Sequence, residues 1–196
     1  MDMTEITSTT LAQPSRRLFL FETTALTLSG TAVALLAGAP RLVRAAAHSA
    51  EHAAGDIKIL NAALAAEREA VAAYQVGADS GLLKKDVLKT AVQFQGHHKA
   101  HADVLAGTIK KLGGTAAEPP SKYDLPVDKL KTQKDVLEFA AKLERGAVTA
   151  YASAIPKFDN RDLSHAAASI LADEAMHWAV LRMTLGLDPV PGAFFA

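Results

Sequence analysis

The chain has no cysteine, no excess of either charge and no run that reads as a β-strand, and each absence removes a class of function. Without cysteine there are no disulfides, thiolate metal sites, iron–sulfur clusters or thiol nucleophiles, so any metal must sit on oxygen and nitrogen. Lys plus Arg equals Asp plus Glu at 21 each, so no global field draws the chain to nucleic acid or to an anionic membrane surface. A metal ion or a small polar ligand suits this neutrality better than a polyanion. No acidic run marks a mineral-nucleating surface, which argues against a storage cage. What is present is apolar: 49% of the 196 residues are hydrophobic, enough to bury the core of one domain.

The first 47 residues read as an address rather than as part of the fold. Ser15-Arg16-Arg17-Leu18-Phe19-Leu20 precedes a mildly apolar stretch, Thr23 to Ala39, followed by Arg41, Arg44 and the small-residue run Ala45-Ala46-Ala47. Paired arginines, a modest apolar region and an Ala-x-Ala-like end make a twin-arginine export signal, which implies a periplasmic or otherwise exported protein. The alternative is an anchor that is never cleaved, although Thr, Ser and Gly within the stretch disfavour a stable span. The twin-arginine route carries folded proteins, which suits a chain loaded with its cofactor before export.

Residues 48–55 form a short linker, and from Asp56 the apolar spacing turns helical. Helix one is expected over Asp56–Val76, capped by Asp56 and closed near Gly77, with Ile57, Leu60, Leu64, Val71 and Tyr74 on one side. Helix two is expected over Leu83–Leu112, ending at Gly113-Gly114. Pro119-Pro120 and Pro126 then mark a long connection. Helix three starts near Thr132, where Thr132 and Asp135 form a capping box, and stops before Pro156. Helix four follows Asp159-Asn160 and runs to Leu185, with Gly186 and Pro189 ending it. The expected fold is all-α: an antiparallel four-helix bundle over 56–188 with one long crossover between helices two and three, and a tail over 189–196 that docks on the bundle or on a partner.

The helices repeat. Glu67-Arg68-Glu69-Ala70-Val71-Ala72-Ala73-Tyr74 in helix one matches Glu144-Arg145-Gly146-Ala147-Val148-Thr149-Ala150-Tyr151 in helix three, 77 positions on, at six of eight residues. His98-Lys99-Ala100-His101 in helix two aligns with Glu174-Ala175-Met176-His177 in helix four, 76 positions on, with Val and Leu recurring just after. Two matches at nearly one offset indicate a duplicated helical hairpin. Glu67 and Glu144 fall on the apolar stripes of their helices, so each points inward, where a carboxylate without a partner is strongly disfavoured. The partners come from the other pair of helices: His101, and Glu174 with His177, whose i, i+3 spacing puts both on one face. A glutamate from each of two helices with Glu-x-x-His from each of the other two is the ligand set of di-iron and di-manganese carboxylate bundles.

On these residues the chain resembles the ferritin-like superfamily, in particular its exported ferritin-like domain proteins. The resemblance covers nearly all of the mature chain and implies two divalent metal ions, iron first and manganese or zinc as alternatives, held by Glu67, His98, His101, Glu144, Glu174 and His177. It also implies a small oxidant as partner, since relatives include ferroxidases, rubrerythrin-like peroxidases and manganese catalases. The sequence departs from the pattern at His98, where the family has glutamate. His98 can ligate one ion terminally, or the site can hold a single ion, or be degenerate. Tyr74 and Tyr151 are the candidate catalytic residues, as orienters of the ligands or as a redox relay; the plainer reading makes them core aromatics bonded to a carboxylate. Glu69 faces away, His97 reads as a solvated neighbour, and Met176 and Trp178 read as packing. Two functions follow: a di-metal redox protein acting on oxygen or peroxide, or a non-catalytic metal-binding or stress-protection bundle, either of them an ordinary homodimer.

Overall fold

The computed structural model describes residues 50–195, so the expected export segment over 1–47 lies outside the described residues. Four helices make up the bundle: α1 (Ala50–Asp79), α2 (Lys85–Lys111), α3 (Gln133–Ala154) and α4 (Arg161–Thr184). Single 3₁₀ turns lie at Val127–Lys129 and Ile155–Lys157, and the described residues contain no strand. No helix among them is long and apolar enough to cross a membrane.

Side-chain pairs give the helix directions. Tyr74 bonds Glu144 and Tyr151 bonds Glu67, so α1 and α3 run antiparallel. Gln95 Nε2 donates to the Val71 carbonyl at 3.1 Å while His98 meets Glu67, so α1 and α2 are antiparallel too. α2 and α3 are therefore parallel, and the chain between them must return along the whole bundle, about 40 Å for a helix of this length. Residues 112–132 make that return. Asn61 pins the strap by both ends of its amide, donating to the Thr115 carbonyl at 3.1 Å and accepting from the Ala117 N–H at 2.7 Å.

The helix ends follow local chemistry. α3 begins with the expected capping box: the Asp135 N–H donates to Thr132 Oγ1 at 3.2 Å, and the Thr132 N–H to Asp135 Oδ2 at 2.8 Å. α2 stops as expected at Gly113, whose φ of +81° suits a residue without a Cβ. α1 departs from expectation at both ends. It starts at Ala50, through the stretch read as a linker, and runs past Gly77 to Asp79. Gly77 is interior and buried; a Cβ there would lie 3.1 Å from Val136 Cγ1, so its role is to let α1 and α3 approach.

Asp56 likewise does not cap its own helix. It is 2% exposed inside α1, and its two oxygens accept the backbone N–H groups of Asp159 (2.9 Å) and Asn160 (3.1 Å). It thus ties the first helix to the turn that launches α4, 103 residues on. The start of α4 is itself capped by Asn160, which accepts from the Asp162 N–H at 2.9 Å.

Among the described residues three apolar clusters occupy the bundle, one of them Tyr151, Ala167 and Ile170 beside Ala63 and Phe158. Leu60, Leu64, Leu105, Ile109 and Leu163 fill one end; Tyr74, Phe94, Leu137, Ala140 and Leu181 fill the other. The polar layer described below lies between these two ends. The tail docks on the bundle: Phe195 meets the edge of Trp178 at 5.3 Å between ring centres, with the Arg145 guanidinium 5.9 Å from its own. Trp178 packs as expected, whereas Met176 is 60% exposed because it points away from the face that carries Glu174 and His177.

Replacing Asp56 tests the long-range cap. Asp56→Ala should lower stability by about 1.5 kcal/mol in urea unfolding, the usual loss for hydrogen bonds to a charged group. Asp56→Asn, which keeps one acceptor oxygen, should lose less.

Candidate metal centre

The duplicated hairpin brings all six expected ligands into one layer. α1 supplies Glu67, α2 His98 and His101, α3 Glu144, and α4 Glu174 and His177. Five of them are 3% exposed or less. Their helices place them there because each lies on the same stripe as core leucines or valines a turn or two away, so the packing that buries Leu60, Leu64 and Val148 also buries the carboxylates. Glu69 is exposed, as its two-residue offset from Glu67 requires.

The donors form two groups that share His98 and Glu174: Glu67 and His101 complete one, Glu144 and His177 the other. His101 Nδ1 lies 3.1 Å from Glu174 Oε1 and 3.5 Å from Glu67 Oε2. His177 Nδ1 lies 3.4 Å from Glu144 Oε2 and 3.5 Å from Glu174 Oε2. His98 spans the two carboxylates of the other helices, with Nδ1 2.8 Å from Glu67 Oε2 and Nε2 3.2 Å from Glu144 Oε1.

Whether such a set fits a metal is decided by where its atoms point. His101 Nδ1, His177 Nδ1, Glu144 Oε2 and both oxygens of Glu174 are buried and have no hydrogen bond, although each has a neighbour 3.1–3.5 Å away. Close approach without hydrogen-bond direction means that these atoms face shared points rather than one another. Donors held by bonds of about 2.1 Å stand about 3.0 Å apart along an octahedral edge and about 3.4 Å along a tetrahedral one. The observed separations fall in that range, and the mixture of carboxylate oxygen and imidazole nitrogen suits iron, manganese or zinc. The residues could hold divalent metal, with Glu174 common to both groups of donors.

Behind the ligands stands a second layer. The Tyr74 hydroxyl donates to Glu144 Oε1, and the Tyr151 hydroxyl donates to Glu67 Oε1 at 2.6 Å. Each tyrosine serves the glutamate of the other half, because antiparallel α1 and α3 set residue 74 beside 144 and residue 151 beside 67. Both phenols are buried and turned to carboxylates, the arrangement of an orienting group. Asp173, which the sequence reading passed over, does the same for the histidines: its Oδ2 lies 3.4 Å from His101 Nε2 and 3.3 Å from His177 Nε2. A carboxylate behind a ligating imidazole fixes its tautomer and aim. His97 is more than a solvated neighbour, since its Nδ1 lies 2.9 Å from His177 Nε2 and 3.2 Å from Asp173 Oδ2. The internal repeat carried the signal: at the same offset, His97-His98 aligns with Asp173-Glu174.

The charges are balanced within the layer. Burial pushes Glu67 up, but the facing imidazoles of His101 and His98 prevail and hold it at about 2. Glu144 is likewise lowered against its burial, by His177 and His98. Glu174 is raised, because burial outweighs its two histidine contacts. The imidazoles move the other way. Burial disfavours their cations, yet contacts with the carboxylates lift His98 to about 10, His101 to about 9 and His177 to about 11. Metal ions would displace those protons, so affinity for metal should rise with pH.

A groove of about 910 Å³ between α1 and α3 leads to this layer. Alanines floor it, among them Ala62, Ala66, Ala147 and Ala150, and its inner wall is made of Glu67, Glu144 and His98. It is wide enough for a small molecule and mostly apolar, with Lys58, Lys142 and Lys157 also lining it.

The chain belongs to the ferritin-like domain family, whose model matches residues 55–187. Solved structures share the fold. A conserved hypothetical protein from Mycobacterium tuberculosis is 22% identical with a TM-score of 0.63, over 73% of this chain and 99% of that one. Ferritin-like, diiron-carboxylate proteins from Bacillus anthracis str. Ames are 23% identical at 0.59, over 68% and 97%. The bacterioferritin-related dodecameric thioferritin of Bacteroides fragilis is 24% identical at 0.60, over 80% and 93%. No curated protein matches the sequence.

The charge balance predicts how chelator-treated protein responds to pH. Histidines raised above 6.5 stabilise the fold fully below that value and lose their contribution as pH climbs through about 9 to 11. Glu67, lowered from 4.5, stabilises above that value and loses its contribution as pH falls towards about 2. The thermal midpoint should be highest between about pH 5 and 6.5 and fall on both sides. A midpoint unchanged from pH 7 to pH 10.5 would contradict the charge assignment.

Proposed function

We propose that the protein is a di-metal carboxylate protein that reacts with oxygen or peroxide, in the manner of a ferroxidase or peroxidase, and acts outside the cytoplasm. The observation that carries the reading is the set of buried, hydrogen-bond-free donor atoms contributed by His101, His177, Glu144 and Glu174. Glu67, His101 and Glu174 would hold one ion, and Glu144, His177 and Glu174 the other, with His98 between them. Iron or manganese there supplies one-electron redox chemistry and a Lewis-acidic face for a small oxidant. The diiron-carboxylate description of the Bacillus anthracis neighbours and the family membership support this class of chemistry.

The residues of the chain do the rest. Tyr74 holds Glu144 by Oε1 and leaves its Oε2 without a hydrogen bond, while Tyr151 holds Glu67 by Oε1 and leaves its Oε2 to His98 Nδ1. Asp173 keeps a proton on Nε2 of His101 and His177 and so leaves Nδ1 as the ligating atom of each. The α1–α3 groove admits the oxidant on the side of Glu67, Glu144 and His98, and the apolar clusters above and below keep bulk water from the layer. The twin-arginine signal expected over residues 1–47 supports a site of action in the periplasm or beyond.

One observation favours a second reading. His98 touches Glu67 and Glu144 with its two ring nitrogens, the position of a built-in cation between carboxylates. In that reading the centre holds one ion, or none, and the protein is a metal-handling or protective bundle.

Metal content separates the two. Protein purified without chelator and reconstituted with Fe(II) under anaerobic conditions should carry about two ions per chain. Glu144→Ala and His177→Ala should each weaken binding by about tenfold or more, and Glu69→Ala should not. One ion per chain would favour the second reading. Equal binding in all three variants would remove the ligand assignment.

A further inference from the structure

Three ligand-type side chains meet on the α2–α4 side of the centre, away from the α1–α3 groove. His97 Nδ1, His177 Nε2 and Asp173 Oδ2 form a triangle with edges of 2.9, 3.2 and 3.3 Å. These are donor-to-donor distances of the kind that bonds of about 2.1 Å produce. Asp173 and His177 stand at i, i+4 on α4, a spacing that presents two ligands from one helix face, and His97 faces them from α2. Unlike the core donors, this triangle reaches solvent: the side chains of His97 and Asp173 are 37% and 24% exposed, that of His177 2%. Water can complete the coordination of an ion there.

We propose that His97, Asp173 and His177 form an outer divalent-metal site that captures an ion from solvent and shares His177 with the core. The shared ring determines how the two sites relate. A neutral imidazole carries one N–H, so it ligates through one nitrogen and donates through the other. With Nε2 on an outer ion, the Nδ1 proton faces Glu144 Oε2 at 3.4 Å and Glu174 Oε2 at 3.5 Å. With Nδ1 on a core ion, the Nε2 proton faces Asp173 Oδ2 at 3.3 Å. Occupancy of the outer site and of the adjacent half of the core therefore alternates: as an ion moves from Nε2 to Nδ1, the Nδ1 proton passes to the facing carboxylate of Glu144 or Glu174 and Nε2 takes up a proton from solvent beside Asp173. This hand-over rests on the core metal reading; the outer site does not.

The test uses Co(II) alone as the probe, with binding followed by equilibrium dialysis and by visible absorption. Full-length Glu67→Gln/Glu144→Gln, which disables the core while keeping side-chain shape, should bind one Co(II) per chain. Adding His97→Ala to it should weaken that binding by at least about tenfold, with helix content by circular dichroism unchanged. In the otherwise intact chain, His97→Ala should leave the final stoichiometry alone and slow the rise of the cobalt absorption. A core-disabled chain that binds no Co(II), or binds it equally without His97, overturns the outer site. Failure of the core reading looks different: the unmodified chain would then hold a single ion that disappears with His97→Ala.

Discussion

Everything in this bundle depends on burying carboxylates. Glu67, Glu144 and Glu174 lie in the centre at 3% exposure or less, where an unpartnered charge would be strongly disfavoured. The structure answers with three histidines, two tyrosines and one further aspartate arranged around them. The tyrosines cross between halves, so neither hairpin can complete its own glutamate. The duplicated sequence is thus held together by a polar exchange as much as by its leucines. Such a layer interrupts the apolar core at mid-height, and five of its atoms are left with no hydrogen bond. A protein that only needed stability would do better with leucine at these positions. The arrangement makes sense when cations join the layer.

The centre is not symmetric, and the asymmetry is chemical. Where α4 presents Asp173-Glu174, α2 presents His97-His98. Exchanging two acids for two imidazoles removes negative charge from one side and places His98 between Glu67 and Glu144. It also frees Asp173 to face three histidines at once, so that the α2–α4 surface becomes rich in imidazole while the α1–α3 surface is floored by alanine. The two faces offer different things to an approaching ligand: nitrogen and carboxylate donors on one side, an apolar groove on the other.

Much of this was legible in the sequence. Helical spacing located all four helices, Pro and Gly located the breaks, and the repeat around Glu67 and Glu144 singled out the inward carboxylates. The reading went astray where local signals served distant partners. Asp56 looks like a helix cap, but it caps the start of α4 from within α1. Gly77 looks like a helix end, but it is a contact point for Val136. Both misreadings share a cause, since an acidic residue or a glycine near a boundary has the same local signature whichever element uses it. His97 was read as solvated and Asp173 passed over because neighbours of a ligand motif are ordinarily solvated, and only the packing of α2 on α4 turns them to His177. The crossing of the tyrosines, likewise, follows from the antiparallel setting of α1 and α3 and from nothing within either repeat.

The most direct test of the account is a crystal structure of the iron-reconstituted protein with anomalous scattering recorded at the iron edge. Two peaks are expected within the layer, one among Glu67, His101 and Glu174 and one among Glu144, His177 and Glu174, with Glu174 touching both. A layer without an anomalous peak, its histidines still set against the carboxylates as they are here, would contradict the claim that these donors converge on metal.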